Sequence, residues 1–360
     1  MNKTITLCNH CAESNKYGKP LGHSLKVTRE YFELLKDWFD RIELGAVGSI
    51  ADNSLQIGFD NISKLPYEIN VDAPFTLSRR IKDKMGFFNN IKECLNSDTD
   101  AVFFYQGDFF LYFYLCFRYR RRPNKKLYAL AFRDDFSGGK IEWILQKVFK
   151  KGITKLDGLI YTMPTASIEH VNKIWISDYL YSEEKYGYLR KLPKEKKVVC
   201  LGTMNRYKDL EGVVKVFSNT DIRVEIIGAF DEKERIEAIK RMASDNILIE
   251  DRVLEDNEYY EKMATAAYGI LPYDMNQYHN RTSGVLLETL FVGSIPIAPR
   301  ELLDNNDCDG IPYDEILKLD VNRINTDDLD IYTKKQLSKI SDCSIEATQE
   351  RLCSFLMGEQ

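Results

Sequence analysis

The chain has 360 residues, 44% of them hydrophobic and 12% aromatic, enough for two domains with cores of their own. No stretch approaches the ~18–20 apolar residues of a membrane span, and the N-terminus, Met1-Asn2-Lys3-Thr4-Ile5-Thr6-Leu7, carries no signal-peptide pattern, so a cytoplasmic protein is expected. The net charge of −5 divides into +8 over residues 1–200 and −13 over 201–360, which speaks against nucleic-acid binding and leaves the basic first half for an anionic acceptor or membrane surface.

The first half alternates strands and helices. Strand-like runs, rich in β-branched and aromatic residues, are Lys3–Leu7, Ala101–Tyr105, Lys126–Phe132 and Asp157–Tyr161. Helical stretches are Ser24–Phe39, Phe109–Arg121 and Gly139–Lys151. This alternation predicts a parallel sheet with helices on both faces. Cys8-Asn9-His10-Cys11 looks metal-like, but a zinc site needs a second pair at matching spacing, which Cys343 and Cys353 do not supply. No metal site is therefore expected, and the eight scattered cysteines read as reduced thiols. The next loop holds Gly18, Gly22 and His23; His23 is either a general base suited to neutral pH or a cap for the helix starting at Ser24. Residues 40–75 are less regular, with Arg41–Val47 and Pro66–Val71 as candidate strands.

Gln106-Gly107-Asp108 makes another strand-end turn, with Asp108 as a helix cap. The run Phe109–Phe117, followed by Arg118, Arg120, Arg121, Arg122, Lys125 and Lys126, reads as a buried crossover helix with a solvated basic end. The alternative, shared with Trp143–Lys151, is peripheral contact with an anionic membrane at the inner face. Arg133-Asp134-Asp135 ends a further strand; Asp134 and Asp135 face the same cleft as His23 if the sheet is parallel, or form only a surface ion pair.

Residues 172–196 are charged and contain Pro193, breaking the rhythm. The expected organisation is a first domain over 1–175, a linker over 176–196, a second domain over 197–330, and C-terminal helices over 331–360 packing back on the first domain. Alternation restarts with strands at Val198–Gly202, Val224–Gly228, Ile247–Glu250, Tyr268–Leu271 and Ile295–Ala298. Between them lie helices at Lys208–Phe217, Glu232–Met242, Asn257–Ala266 and Arg281–Phe291. The fold class is thus α/β, with two doubly wound Rossmann-like domains facing a ligand-binding cleft.

The segment Tyr278-His279-Asn280-Arg281-Thr282-Ser283-Gly284-Val285-Leu286-Leu287-Glu288 carries the clearest chemistry. Ser283 can cap the helix, and Gly284 lets a ligand approach the backbone. The free N–H groups of this first turn, Val285 included, together with the helix dipole, suit a phosphate, and Arg281 can add a bidentate clamp. Glu288 lies four residues past Gly284, about one turn and roughly 6 Å up the axis, where a carboxylate can hold the two hydroxyls of a ribose. The ligand so described is an activated nucleotide.

Gly202 at a strand end, Lys208 six residues on, the strand end at Gly228, Tyr273 to Glu288, and Gly293 with Pro296 resemble the donor half of GT-B glycosyltransferases. The resemblance is to the large retaining group often called family four, and it covers about residues 196–300; the first half matches only in its strand–helix order. It implies that Glu288 holds ribose and that Lys208 meets the diphosphate. The group's first motif glutamate, which touches the donor sugar, is Asn280 here, and its arginine after the glycine is Thr203; Arg206 or Arg281 can substitute. Gly22-His23 resembles the glycine-rich acceptor loop of many GT-B enzymes, in which a nearby histidine is the base of inverting members.

The expected function is metal-independent, retaining transfer of a sugar from a nucleoside-diphosphate sugar to a hydroxyl of a glycan, polysaccharide or lipid-linked saccharide. A nucleotide-sugar epimerase of the same fold and a non-catalytic nucleotide-binding protein are the alternatives. Dehydrogenase and NTPase readings fail, because neither Gly-x-Gly-x-x-Gly nor Gly-x-x-x-x-Gly-Lys-Ser/Thr is present.

Overall fold

The computed structural model describes all residues except 1–2, 15–19, 21–23, 71–75, 132–141, 167, 171, 178–181, 280–281, 327–338 and 359–360. The chain divides into two compact units. Unit 1 comprises 1–162, 166–176 and 348–360; unit 2 comprises 163–165 and 177–347.

Unit 1 is built on β1 (Thr4–Asn9), β2 (Glu13–Ser14), β3 (Arg41–Ala46), β4 (Asn61–Lys64), β5 (Ile69–Asn70), β6 (Ala101–Gly107), β7 (Lys126–Ala131), β8 (Gly158–Tyr161) and β9 (Lys173–Trp175). Seven of these form one parallel sheet in the order β4-β3-β1-β6-β7-β8-β9, and β2 pairs with β5 apart from it. Residues Ile5, Leu7, Val102, Phe103, Phe104 and Leu130 are fully buried, as strands covered on both faces require. The helices are α1 (Ser24–Leu35), α2 (Gly48–Asn53), α3 (Leu77–Leu95), α4 (Phe109–Phe117) and α5 (Glu142–Ile153).

The long helix α3 carries no expectation from the sequence. Its first turns are charged, and Gly86 interrupts its middle. The structure gives that glycine its reason: a Cβ there would lie 2.1 Å from the Tyr67 ring. Thr76 caps the helix, its side chain accepting from Arg79 N. Helix α4 buries Leu111, Tyr112 and Leu115 and packs on α3 and α5, while Phe117 and Arg118 are exposed. It is a crossover helix with a solvated basic end. Among the described residues no helix is long and apolar enough to cross a membrane. The C-terminal helix Ile345–Met357 contributes to unit 1 through Cys353, which donates to Leu34 O at 3.3 Å, and Leu356 O, which accepts from Tyr128 OH at 2.9 Å.

Unit 2 holds six parallel strands: β10 (Glu195–Leu201), β11 (Arg223–Gly228), β12 (Ile247–Asp251), β13 (Ala266–Ile270), β14 (Ile295–Pro299) and β15 (Ile311–Tyr313). Their order is β12-β11-β10-β13-β14-β15. Its helices are α6 (Glu183–Tyr186), α7 (Leu210–Phe217), α8 (Lys233–Met242), α9 (Asp256–Thr265), α10 (Met275–Tyr278), α11 (Gly284–Phe291), α12 (Arg300–Asn305) and α13 (Asn322–Thr326). The stretch read as a linker, 176–196, is folded where it is described. Ser182 caps α6, a 3-10 turn follows over Gly187–Lys191, and Leu189 is buried. The charges that suggested a connector face solvent or are engaged: Lys194 Nζ donates to Ala264 O at 2.5 Å and Val292 O at 2.6 Å, and Arg190 pairs with Glu183 and lies 5.3 Å over the Phe291 ring.

Two helices start more than one residue later than the sequence suggests, each at its cap. Helix α7 begins at Leu210 because Asp209 accepts from Gly212 N at 2.8 Å. Helix α11 begins at Gly284 because Ser283 accepts from Leu286 N at 3.3 Å. The α/β class and the doubly wound build of each unit are as expected.

Candidate functional site

In a doubly wound sheet, ligands bind beyond the carboxyl ends of the strands, where the strand order reverses. In unit 2 that point lies between β10 and β13. The sequence-predicted residues Gly202, Thr203, Arg206 and Lys208 follow β10, and Tyr273 follows β13. An isolated bridge between Lys208 and Tyr273 ties the two loops together.

Gly202 has φ +97°, a conformation costly for other residues, and nothing lies within 4 Å of where a Cβ would be. Its backbone is open to a ligand. Gly228 serves the same turn by close approach, since a Cβ on it would lie 1.6 Å from Gly202 O. Thr203 and Arg206 are exposed. The Arg206 guanidinium stacks 5.0 Å over the Tyr207 ring and donates to the Tyr207 hydroxyl at 2.8 Å.

Lys208 is the unusual group. It is 5% exposed, and among the described residues its Nζ forms no ion pair. It donates to Leu201 O at 3.3 Å and lies 5.7 Å from the Tyr273 ring centroid. Burial pushes its pKa down, with only the Cys200 thiol opposing. A desolvated ammonium without a counter-ion is expensive, and an anionic ligand relieves that cost. Arg235 braces the loop that carries it. The guanidinium donates to Asn205 O at 2.7 Å and to Lys208 O, and it pairs with Glu211 at 3.0 Å. Arg235 escaped the sequence reading because it sits on α8, outside any motif.

Tyr273 stacks on Tyr278, with centroids 4.0 Å apart and planes 10° apart, and its hydroxyl accepts from Ser283 Oγ at 3.3 Å. Ser283 therefore links Tyr273 to the start of α11. There the first N–H groups of the helix, at Gly284 and Val285, have no intrahelical acceptors to meet. Asn280 and Arg281 lie outside the described residues, as do His23, Asp134 and Asp135. The contacts expected of those five residues stay expectations.

Glu288 sits one turn into α11 and is partly buried. Its carboxylate accepts from the Tyr259 hydroxyl on one oxygen and from the Tyr260 hydroxyl at 3.4 Å on the other. Burial and the Glu288 charge hold the Tyr259 phenol well above its usual pKa, so it remains a donor. The sequence did not show this pair, because a Tyr-Tyr step on α9 reads as ordinary packing. Two phenol donors thus orient the carboxylate. The described cluster thus offers an open backbone turn, one buried cation, a helix N-terminus and one oriented carboxylate.

Several solved glycosyltransferase structures resemble the chain along its whole length. Sucrose-phosphate synthase from Thermosynechococcus elongatus aligns with TM-score 0.67 and 13% identity, over 99% of this chain and 99% of that one. The trehalose-6-phosphate synthase OtsA aligns with TM-score 0.62 and 10% identity, over 99% of each chain. HepE from Anabaena, solved with UDP and glucose, gives 0.60 and 12%, over 99% of this chain and 100% of that one. At these identities the likeness establishes the fold, which is the GT-B type. No protein-family model and no curated sequence matches the chain.

Proposed function

We propose that the protein is a glycosyltransferase that moves a sugar from a nucleoside-diphosphate sugar to a hydroxyl acceptor. The observation that carries this reading is Lys208: a buried ammonium with no carboxylate partner among the described residues, beside the open turn at Gly202. A diphosphate leaving group needs positive charge where its own charge develops. Lys208 and the N-terminus of α11 supply it without a metal ion, and Glu288 receives the ribose. HepE, which shares the fold, was solved with UDP and glucose. The acceptor class, a glycan or lipid-linked saccharide, is assigned to unit 1.

Retention of the anomeric configuration accompanies this reading. The leaving phosphate can itself take the acceptor proton, so no side-chain base is compulsory. Incubation with a panel of nucleotide sugars, with and without saccharide acceptors, tests the proposal. Nucleoside diphosphate release that rises with acceptor supports transfer. A new sugar epimer without acceptor would make the protein an epimerase, and binding without turnover would make it a non-catalytic nucleotide binder.

A further inference from the structure

The sheet of unit 1 has its own reversal point, between β1 and β6, and a second cluster of chemistry-bearing side chains stands there. His10 and Cys11 follow β1, and Asp108 follows β6. One ligand atom from each of the three lies within 4.8 Å of the others. Asp108 Oδ1 is 3.0 Å from His10 Nε2 and also caps α4, accepting from Leu111 N at 2.8 Å.

We propose that His10, Cys11 and Asp108 bind one divalent transition-metal ion of the zinc class, with water completing the coordination. The ligand set is imidazole, thiolate and carboxylate, which suits a borderline-soft cation. Bonds of about 2.0–2.3 Å in a tetrahedral site put ligand atoms roughly 3.3–3.7 Å apart, so the cluster needs only small side-chain adjustments to close. Charge balances as well: one thiolate and one carboxylate match a dication.

The surroundings indicate a built site. His10 is fully buried, with Nε2 turned to Asp108, while its Nδ1 has no hydrogen-bond partner among the described residues. Its ring packs edge-on against Phe104, with centroids 5.4 Å apart, and its backbone carbonyl accepts from Asn90 Nδ2 at 2.9 Å. Cys11 stands beside the His10 ring, and its thiol donates to Gln106 O at 3.9 Å. Asp108 keeps 28% of its side chain exposed, which provides the path for a metal and its water. Cys8 is excluded, because it lies in the apolar core with Cys94. The sequence could not show this site: the third ligand stands about one hundred positions after the first two, outside any paired-cysteine spacing.

Metal binding by the full chain tests this independently of turnover and of the donor site. Reduced, chelator-treated protein is titrated with Co2+ and followed by its absorption spectrum. One equivalent of Co2+ should produce a thiolate-to-cobalt charge-transfer band that Zn2+ removes. Cys11→Ser should abolish the band, Asp108→Asn should weaken Co2+ binding at least about tenfold, and Cys116→Ser should leave it intact. In the unaltered protein, Zn2+ should protect Cys11 from alkylation, read by peptide mass, which covers the case of a variant that fails to fold. No band in the unaltered protein, a band that survives in Cys11→Ser, or unprotected Cys11 in saturating Zn2+ would overturn the site.

Discussion

Replacement of Lys208 by methionine separates a ligand-binding cation from a structural one. Lys208 is almost fully buried; its Nζ has one carbonyl acceptor at 3.3 Å, and burial lowers its pKa. In the free protein the ammonium therefore carries a desolvation cost that methionine, of similar length, does not. Folding stability should hold or rise in Lys208→Met. In the proposed complex the same ammonium would meet a diphosphate oxygen in a dry site. A hydrogen bond to a charged partner contributes about 1.5–3 kcal/mol, so nucleoside diphosphate affinity should fall roughly 10–150-fold. Calorimetric titration with UDP, GDP and ADP gives the affinity, and thermal unfolding gives the stability. Affinity within about twofold of the parent, or a lowered melting temperature without an affinity change, would refute the assignment of Lys208 to the diphosphate.

Glu288→Gln keeps an acceptor for the Tyr259 hydroxyl but loses the charge, so nucleotide affinity should fall by about 1–3 kcal/mol with little change in stability. Glu288→Ala should lower both, because it strands a buried phenol; calorimetry and thermal unfolding of the two variants distinguish ribose binding from packing. Nucleoside diphosphate affinity should be the same in Mg2+ and in chelator, and a loss in chelator restored by Mg2+ would place a metal at the donor. Burial lowers the Lys194 ammonium from 10.5 to about 8, so between those values the unfolded chain holds a proton the folded one has released. This group should therefore add stability as pH rises through that window, by up to about 3 kcal/mol, and denaturant unfolding of Lys194→Met should show a correspondingly shallower rise. NMR of the first-formed product should show the donor's anomeric configuration; the opposite configuration would make His23, Asp134 and Asp135 candidates for the catalytic base.

The central strands were legible because buried parallel strands read as short apolar runs: Thr4–Asn9, Ala101–Gly107 and Arg223–Gly228 differ from expectation by only a residue or two at an end, whereas the short edge strands β4, β9 and β15 carried no such run. Helix α3 was not legible, because its core-facing positions are diluted by charge and its glycine answers to Tyr67, distant in sequence. At the candidate site, Gly202 and Lys208 stood out because they follow a strand end, Ser283 because it starts a helix, and Glu288 because it lies one turn further along that helix. What the sequence hid was support from elsewhere: Arg235 under the 205–208 loop, Tyr259 and Tyr260 on Glu288, and Asp108 beside His10. Those contacts join distant elements, and no local pattern records them.

A crystal structure with a bound nucleoside diphosphate tests the central claim most directly. The diphosphate should lie against the Gly202 turn and the N-terminus of α11, with Lys208 Nζ in hydrogen-bond contact with a phosphate oxygen. The Glu288 carboxylate should accept from the ribose hydroxyls while keeping the Tyr259 hydroxyl. A nucleotide bound elsewhere, or one whose phosphates leave Lys208 uncontacted, would contradict the account.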